Sequence, residues 1–239
     1  NEDDIFDISF AKLPYLLNKY EISYHYSTTL WLETKSKKSM AADSFLAFAP
    51  VFFNKKYATL PQTSDLAQKI HLSFEKNKLK SKVFLHEKAT ITNFKQELKN
   101  YKYLLVATHG IINNEQTNLS NFVFSPAEKE NKLFLADTYN LKLSADLVVL
   151  SACESGLGSF VKGEGMMAMN RGFIYSGANN IIFTLFKVQS KASSELLVQL
   201  FQFIKNGKDY KTALRLAKRY LIEQNHFPHK WAGFVLIGK

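Results

Sequence analysis

The sequence predicts an α/β fold built on a mainly parallel sheet covered by helices on both faces. Three observations predict it. Short apolar runs alternate with helical patterns along the chain, the habit of strands buried on both faces. The 239 residues are enough for one full core, since a chain of this size buries roughly 70 to 75% of its unfolded surface. The single cysteine, Cys153, excludes a disulfide scaffold and fits a reducing, cytoplasmic compartment.

Taken in order, the expected strands are Ile22 to Leu32, Phe45 to Ala49, Lys82 to Leu85, Tyr103 to Thr108, Leu147 to Ser151, Asn180 to Leu185 and Gly233 to Ile237. The clearest helix runs from Ala192 to Asn206, with Leu196, Leu197, Leu200, Phe201 and Ile204 on one stripe and Gly207 as its stop. Asp209 caps a second helix that turns Ala213, Leu214, Ala217 and Leu221 inward. A weaker third spans about Asn93 to Lys99, and another begins near Met166. The polar Asn113 to Thr138 stretch, broken by Pro126, reads as an excursion over the sheet's edge, with strand character only at Phe122 to Phe124 and Leu133 to Leu135. No repeat or Pro/Gly/Ser-rich linker divides the chain, so residues 1–239 are expected to form one domain.

Composition narrows the function classes. Apolar residues make up 46% and charged residues 22%, a globular balance rather than a disordered one. The longest apolar run, Phe45 to Phe53, is far shorter than the roughly 20 residues a bilayer span needs, so no membrane partner is expected. The chain begins Asn1-Glu2-Asp3-Asp4, with neither an initiator methionine nor a signal peptide, and is expected to be part of a longer protein. The net charge of +10 would favour polyanions, but its lysines cluster at element ends, at 35, 37 and 38, at 55 and 56, and at 76, 78, 80 and 82. No arginine and aromatic interleaving accompanies them, so direct nucleic-acid binding is not the expected function.

The chemistry concentrates at two strand ends. Leu104 to Thr108 runs into His109-Gly110, and Leu147 to Leu150 runs into Ser151-Ala152-Cys153-Glu154. Ligands of open parallel sheets bind outside the carboxyl ends of strands, so this pair would converge on one crevice if the strands are neighbours. An imidazolium beside a thiol lowers its pKa and can later protonate a leaving amine. Cys153 would then attack while His109 carries the proton, and the Gly110 and Cys153 N–H groups would face the developing oxyanion. Read alone, Cys153 is as well a small buried hydrophobe and His109 a polar cap. The histidines at 25, 71, 86, 226 and 229 lack zinc-site spacing, so neither metal nor cofactor is expected. Glu154 reads as a structural residue, and Gly163-Glu164-Gly165 lacks both the P-loop and the dinucleotide fingerprints.

Several blocks in order resemble the CHAT domain. They are Ala107-Thr108-His109-Gly110, Leu150 through Gly158, Gly163-Glu164-Gly165, Arg171-Gly172-Phe173, Ser176-Gly177-Ala178, Thr184 through Val188, Pro228, and Trp231-Ala232-Gly233-Phe234. The resemblance implies a caspase-like three-layer α/β/α sandwich, related to separases and gingipains, and a metal-free cysteine endopeptidase using His109 and Cys153. It also implies an association with tetratricopeptide repeats, and hence a regulatory repeat region or activating partner beside a protein or peptide substrate. Ser151 matches the position lining the specificity pocket in several relatives. Family members typically carry Trp at Phe186 and acids where Gln189-Ser190 stand, so Ser190 falls in the substrate-binding stretch without the carboxylate that would hold a basic residue. That departure supports a second reading, a catalytically silent protein-binding module of the same fold.

Overall fold

A computed structural model describes residues 9–36, 42–55, 57–113, 115–151, 164–186, 188 and 190–239. Six strands form the main sheet: β1 (Ser44–Ala49), β2 (Lys80–Leu85), β3 (Tyr103–Val106), β7 (Leu147–Leu150), β8 (Asn180–Thr184) and β9 (Phe234–Ile237). Their spatial order is β2-β1-β3-β7-β8-β9. All neighbours pair in parallel except β8 with β9.

Strand alternation divides the core into two apolar layers. Phe45, Ala47, Tyr103, Leu105, Leu147, Val149 and Ile182 face one side, where α2 (Pro61–Lys76), α6 (Ser190–Lys205) and α7 (Tyr210–Glu223) cover them. Leu46, Phe48, Leu104, Val106, Val148, Leu150 and Ile181 face the other, under α3 (Ile91–Glu97) and α5 (Glu164–Tyr175). This is the expected sandwich of helices around a central sheet. The central strands β3 and β7 are unbroken buried apolar runs because both of their faces are dry, whereas the edge strand β2 keeps Lys80 and Lys82 at its exposed positions.

Several elements differ from expectation. The segment 22–32 is no strand. Only Tyr24 bridges Ile237, and α1 (Thr28–Ser36) follows. Ser27 decides this, its Oγ accepting the Leu30 N–H at 3.1 Å and its carbonyl the Trp31 N–H at 3.0 Å, a helix start that outweighs the alternation. Sequence reasoning also passed over α2, opened by Pro61 and amphipathic through Leu66, Ala67, Ile70 and Phe74. The third helix begins two residues early because Thr90 Oγ1 accepts from the Asn93 N–H at 3.2 Å.

The Asn113 to Thr138 stretch does not wander over the edge. It supplies β5 (Asn121–Val123) and β6 (Lys132–Phe134), which with β4 (His109–Ile111) make a separate antiparallel sheet, before the short α4 (Leu135–Thr138). Its Phe122 and Phe124 are fully buried and join the second apolar layer, Phe122 against Phe173 at 5.7 Å and Phe124 against Phe94 at 5.0 Å. Short aromatic runs in a polar context are thus core anchors. Two of the quoted glycine blocks also gain a reason. A Cβ on Gly172 would overlap Thr138 Oγ1, and Gly177, at φ +119°, approaches the Leu143 carbonyl.

Candidate functional site

β3 and β7 are neighbours, with Val106 beside Leu150 at their carboxyl ends. The Ser151 N–H donates to the Val106 carbonyl at 3.0 Å, so the chains leave the sheet side by side at one rim. On the other flank, the Ala107 N–H donates to the Phe48 carbonyl of β1 at 2.9 Å. The Thr108 hydroxyl donates to the Val123 carbonyl, and this bond turns the chain from β3 into β4.

That turn delivers His109 as the first residue of β4, 5% exposed. Its Nε2 is 2.7 Å from the Ala58 carbonyl. A carbonyl only accepts, so Nε2 carries the proton and Nδ1 is the basic nitrogen of the neutral ring. Phe53 meets the imidazole edge-on with centroids 4.6 Å apart, and Tyr57 lies tilted at 5.7 Å. Both belong to the connection between β1 and α2, which wraps the ring.

This connection is strained where it leaves the sheet. Val51 is a β-branched residue at φ 66°, in a three-residue turn closed by the Phe52 N–H on the Pro50 carbonyl at 2.7 Å. The Leu60 N–H returns to the Val51 carbonyl at 2.9 Å and closes the base of the loop. Backbone outliers of this kind persist only when their surroundings over-determine them, and they cluster at functional sites. Sequence reasoning missed Phe53, Tyr57 and Ala58. The aromatics could have been noticed next to Pro50, but a main-chain carbonyl has no sequence signature.

The other expected site residues divide. Gly110 is buried in β4 opposite Phe122. Ser151 is half-buried at the rim, one residue beyond β7. Cys153, Glu154 and Gln189 lie outside the described residues, and Ser190 opens α6 with a side chain that is likewise outside them. Phe186, two residues beyond β8, is 44% exposed and packs on Gly233, where a Cβ would come within 2.9 Å of its ring.

Electrostatics elsewhere is structural. Lys82 pairs with Glu97 at 2.6 Å, and Lys80 lies over the Tyr101 ring at 4.3 Å, so two of the clustered lysines have local partners. Among the described residues no group of three His, Cys, Asp or Glu side chains could hold a metal, and no helix is long and apolar enough to cross a membrane.

The profile of the family described as "CHAT domain" matches residues 8–239. Two curated relatives are each named "Tetratricopeptide repeat protein 28". The mouse protein is 30% identical over 129 residues, 53% of this chain, and the human protein 32% identical over 115 residues, 47% of this chain. The chain spans about 5% of the length of either relative. With a family match over nearly its whole length, the chain belongs to the CHAT-domain family, of the caspase-like clan.

Proposed function

We propose that this CHAT domain is a protein-binding domain that receives a polypeptide segment at the rim where β3 and β7 end, within a larger protein bearing repeats. The observation that carries this reading is the side-by-side exit of residues 106–109 and 150–151 from adjacent parallel strands, the place where such sheets take their ligands. The repeat-protein names of both relatives support a repeat region as the neighbouring partner.

A second reading, hydrolysis of the bound segment, is favoured by one specific observation. The His109 ring is oriented just past the end of β3 by Nε2–H on the Ala58 carbonyl, which makes Nδ1 the proton acceptor of the neutral ring. In that chemistry Nδ1 takes the Cys153 thiol proton as Sγ adds to the scissile carbonyl carbon. The C–N bond then breaks, the imidazolium protonates the departing amine, and water releases the acyl group from sulfur. The Gly110 and Cys153 N–H groups would serve the oxyanion, and Ser151 and Ser190 would border the residue before the scissile bond. Ala58 would position the ring rather than touch the substrate.

The test uses the intact protein and an array of peptides, each presented both as a plain peptide and with a thiol-reactive carbon at its end. Retention of particular plain peptides, weakened by bulky substitution at Ser151, supports the binding domain. Labelling of Cys153 that is lost in His109→Ala adds hydrolysis to it. Failure to retain any peptide would overturn both readings.

A further inference from the structure

A second concave site lies on the β9 side of the sheet, between α7, the segment 15–24 and the start of β9, with Leu185 just past the end of β8 at its mouth. Its cavity is about 300 Å³, at the small end of the range for small-molecule sites. Trp231 and Phe234 form an apolar floor, with Trp231 only 4% exposed and its ring edge-on to Tyr15 at 4.9 Å. Around the mouth, Leu16, Tyr20, Ile22, Tyr24 and Leu185 are each 46 to 69% exposed. Exposed apolar side chains scattered singly need no explanation, but a group rimming one cavity marks a binding surface.

The wall contributed by α7 is basic. Lys211, Leu214, Arg215 and Lys218 follow one another at helical spacing along the face turned to the cavity, beside the core stripe of Ala213, Ala217 and Leu221. Every charged side chain lining the cavity among the described residues is a cation. Two of these cations differ in how they are satisfied. Arg215 is committed to the chain opposite, donating to the Leu17 carbonyl at 2.8 Å and lying 3.7 Å from Glu21. Lys218 is half-buried and has no ion pair or hydrogen bond among the described residues. Burial alone pulls its ammonium down to about 8, with no carboxylate opposing the shift.

An ammonium held against an apolar cavity without a counter-charge is costly unless an anion completes it. We infer that this cavity binds a small organic anion with an apolar body, of which a medium-chain carboxylate is the simplest, its head on Lys218 and its tail over Trp231 and Phe234. The inference is independent of how the β3–β7 rim is used.

The test is calorimetric titration of the intact protein with dodecanoate, kept below its micelle concentration, and with dodecyltrimethylammonium as the same tail on the opposite charge. One saturable dodecanoate site is expected, with no matching site for the cation. Lys218→Met keeps the aliphatic stem and should weaken dodecanoate about tenfold or more, while Lys218→Arg should stay within about threefold of the parent. Unfolding scans of each variant show that the comparison is between folded proteins. Equal affinity for both amphiphiles, an unchanged affinity in Lys218→Met, or no dodecanoate site at all would overturn the assignment. Should Lys218→Met fail to fold, Lys218→Gln and the comparison of the two amphiphiles on the parent protein decide it.

Discussion

The two rims of the main sheet carry buried polar groups in opposite ways. At the amino end, Asp146 is 6% exposed and accepts from the Tyr210 hydroxyl at 2.5 Å and the Asn179 amide at 2.9 Å. The Asp146 carbonyl takes the Asn180 amide at 2.9 Å, and nearby Asp43 accepts from Lys102 at 2.9 Å and Tyr103 at 2.8 Å. Side chain answers side chain, and burial with the neighbouring carboxylates pushes the Tyr210 and Tyr103 phenols far up. At the carboxyl end one imidazole is held by a main-chain carbonyl, inside an aromatic collar, beside a strained valine. A fully satisfied network fixes the ends of strands. The ring at the other rim is held from the backbone instead, at the end of the sheet where ligands of such folds are met.

This contrast can be broken by mutation. The largest effect is expected at the carboxyl rim and in function alone. If the bound segment is hydrolysed, His109→Ala should lower turnover at least about 10²-fold, the usual share of a proton-transfer group. Its thermal unfolding should shift less than that of any amino-rim variant. A loss of fold matching the loss of turnover would erase the distinction between the rims. Next in size is Asp146→Ala, which strands the Tyr210 hydroxyl and the Asn179 amide. It should cost about 3 kcal/mol in denaturant unfolding while peptide retention at the other rim persists in the folded fraction.

A smaller effect is expected at the start of the helix that carries Tyr210. Asp209 caps α7 by accepting from the Lys211 and Thr212 N–H groups, and Asp209→Ala should cost about 1 kcal/mol while leaving peptide retention at the carboxyl rim unchanged. The gentlest is an acid titration. Burial raises the Asp43 carboxyl, but hydrogen bonds from Lys102 and Tyr103 and the lysine's charge outweigh it and hold the group below its ordinary value. A depressed folded value stabilises the protein above the unfolded carboxylate range and is lost as pH falls through the folded value. Asp43→Asn should therefore lower stability most at neutral pH and flatten the acid limb measured by unfolding at stepped pH, the variant and the parent converging as pH falls through the folded value.

The sequence made one relation at the site legible, the arrival of His109 and Ser151 at the ends of two strands, because buried parallel strands stop abruptly where polar residues begin. Their adjacency required the pairing of Val106 with Leu150, which no local pattern encodes. The helices α6 and α7 were readable because an apolar stripe, a glycine stop and an aspartate cap agreed with one another. The segment 22–32 misled because apolar and aromatic residues at alternating positions also suit a helix once Ser27 caps it. The two strands at Phe122 to Phe124 and Leu133 to Leu135 were readable to within one residue, but not their antiparallel pairing with β4, which depends on partners distant in the chain. The hold on His109 was invisible for a different reason, since its partner is the backbone of Ala58.

The proposed site receives a polypeptide at the carboxyl-end rim and not elsewhere on the sheet. It is tested most directly by placing a photo-crosslinking side chain at Ser151 in one version of the intact protein and at Lys102 in another. Each is illuminated with an unfolded polypeptide, and the adducts are mapped by mass spectrometry. Adducts from position 151 with none from position 102 are predicted. Equal adducts from both positions, or adducts from position 102 alone, would contradict it.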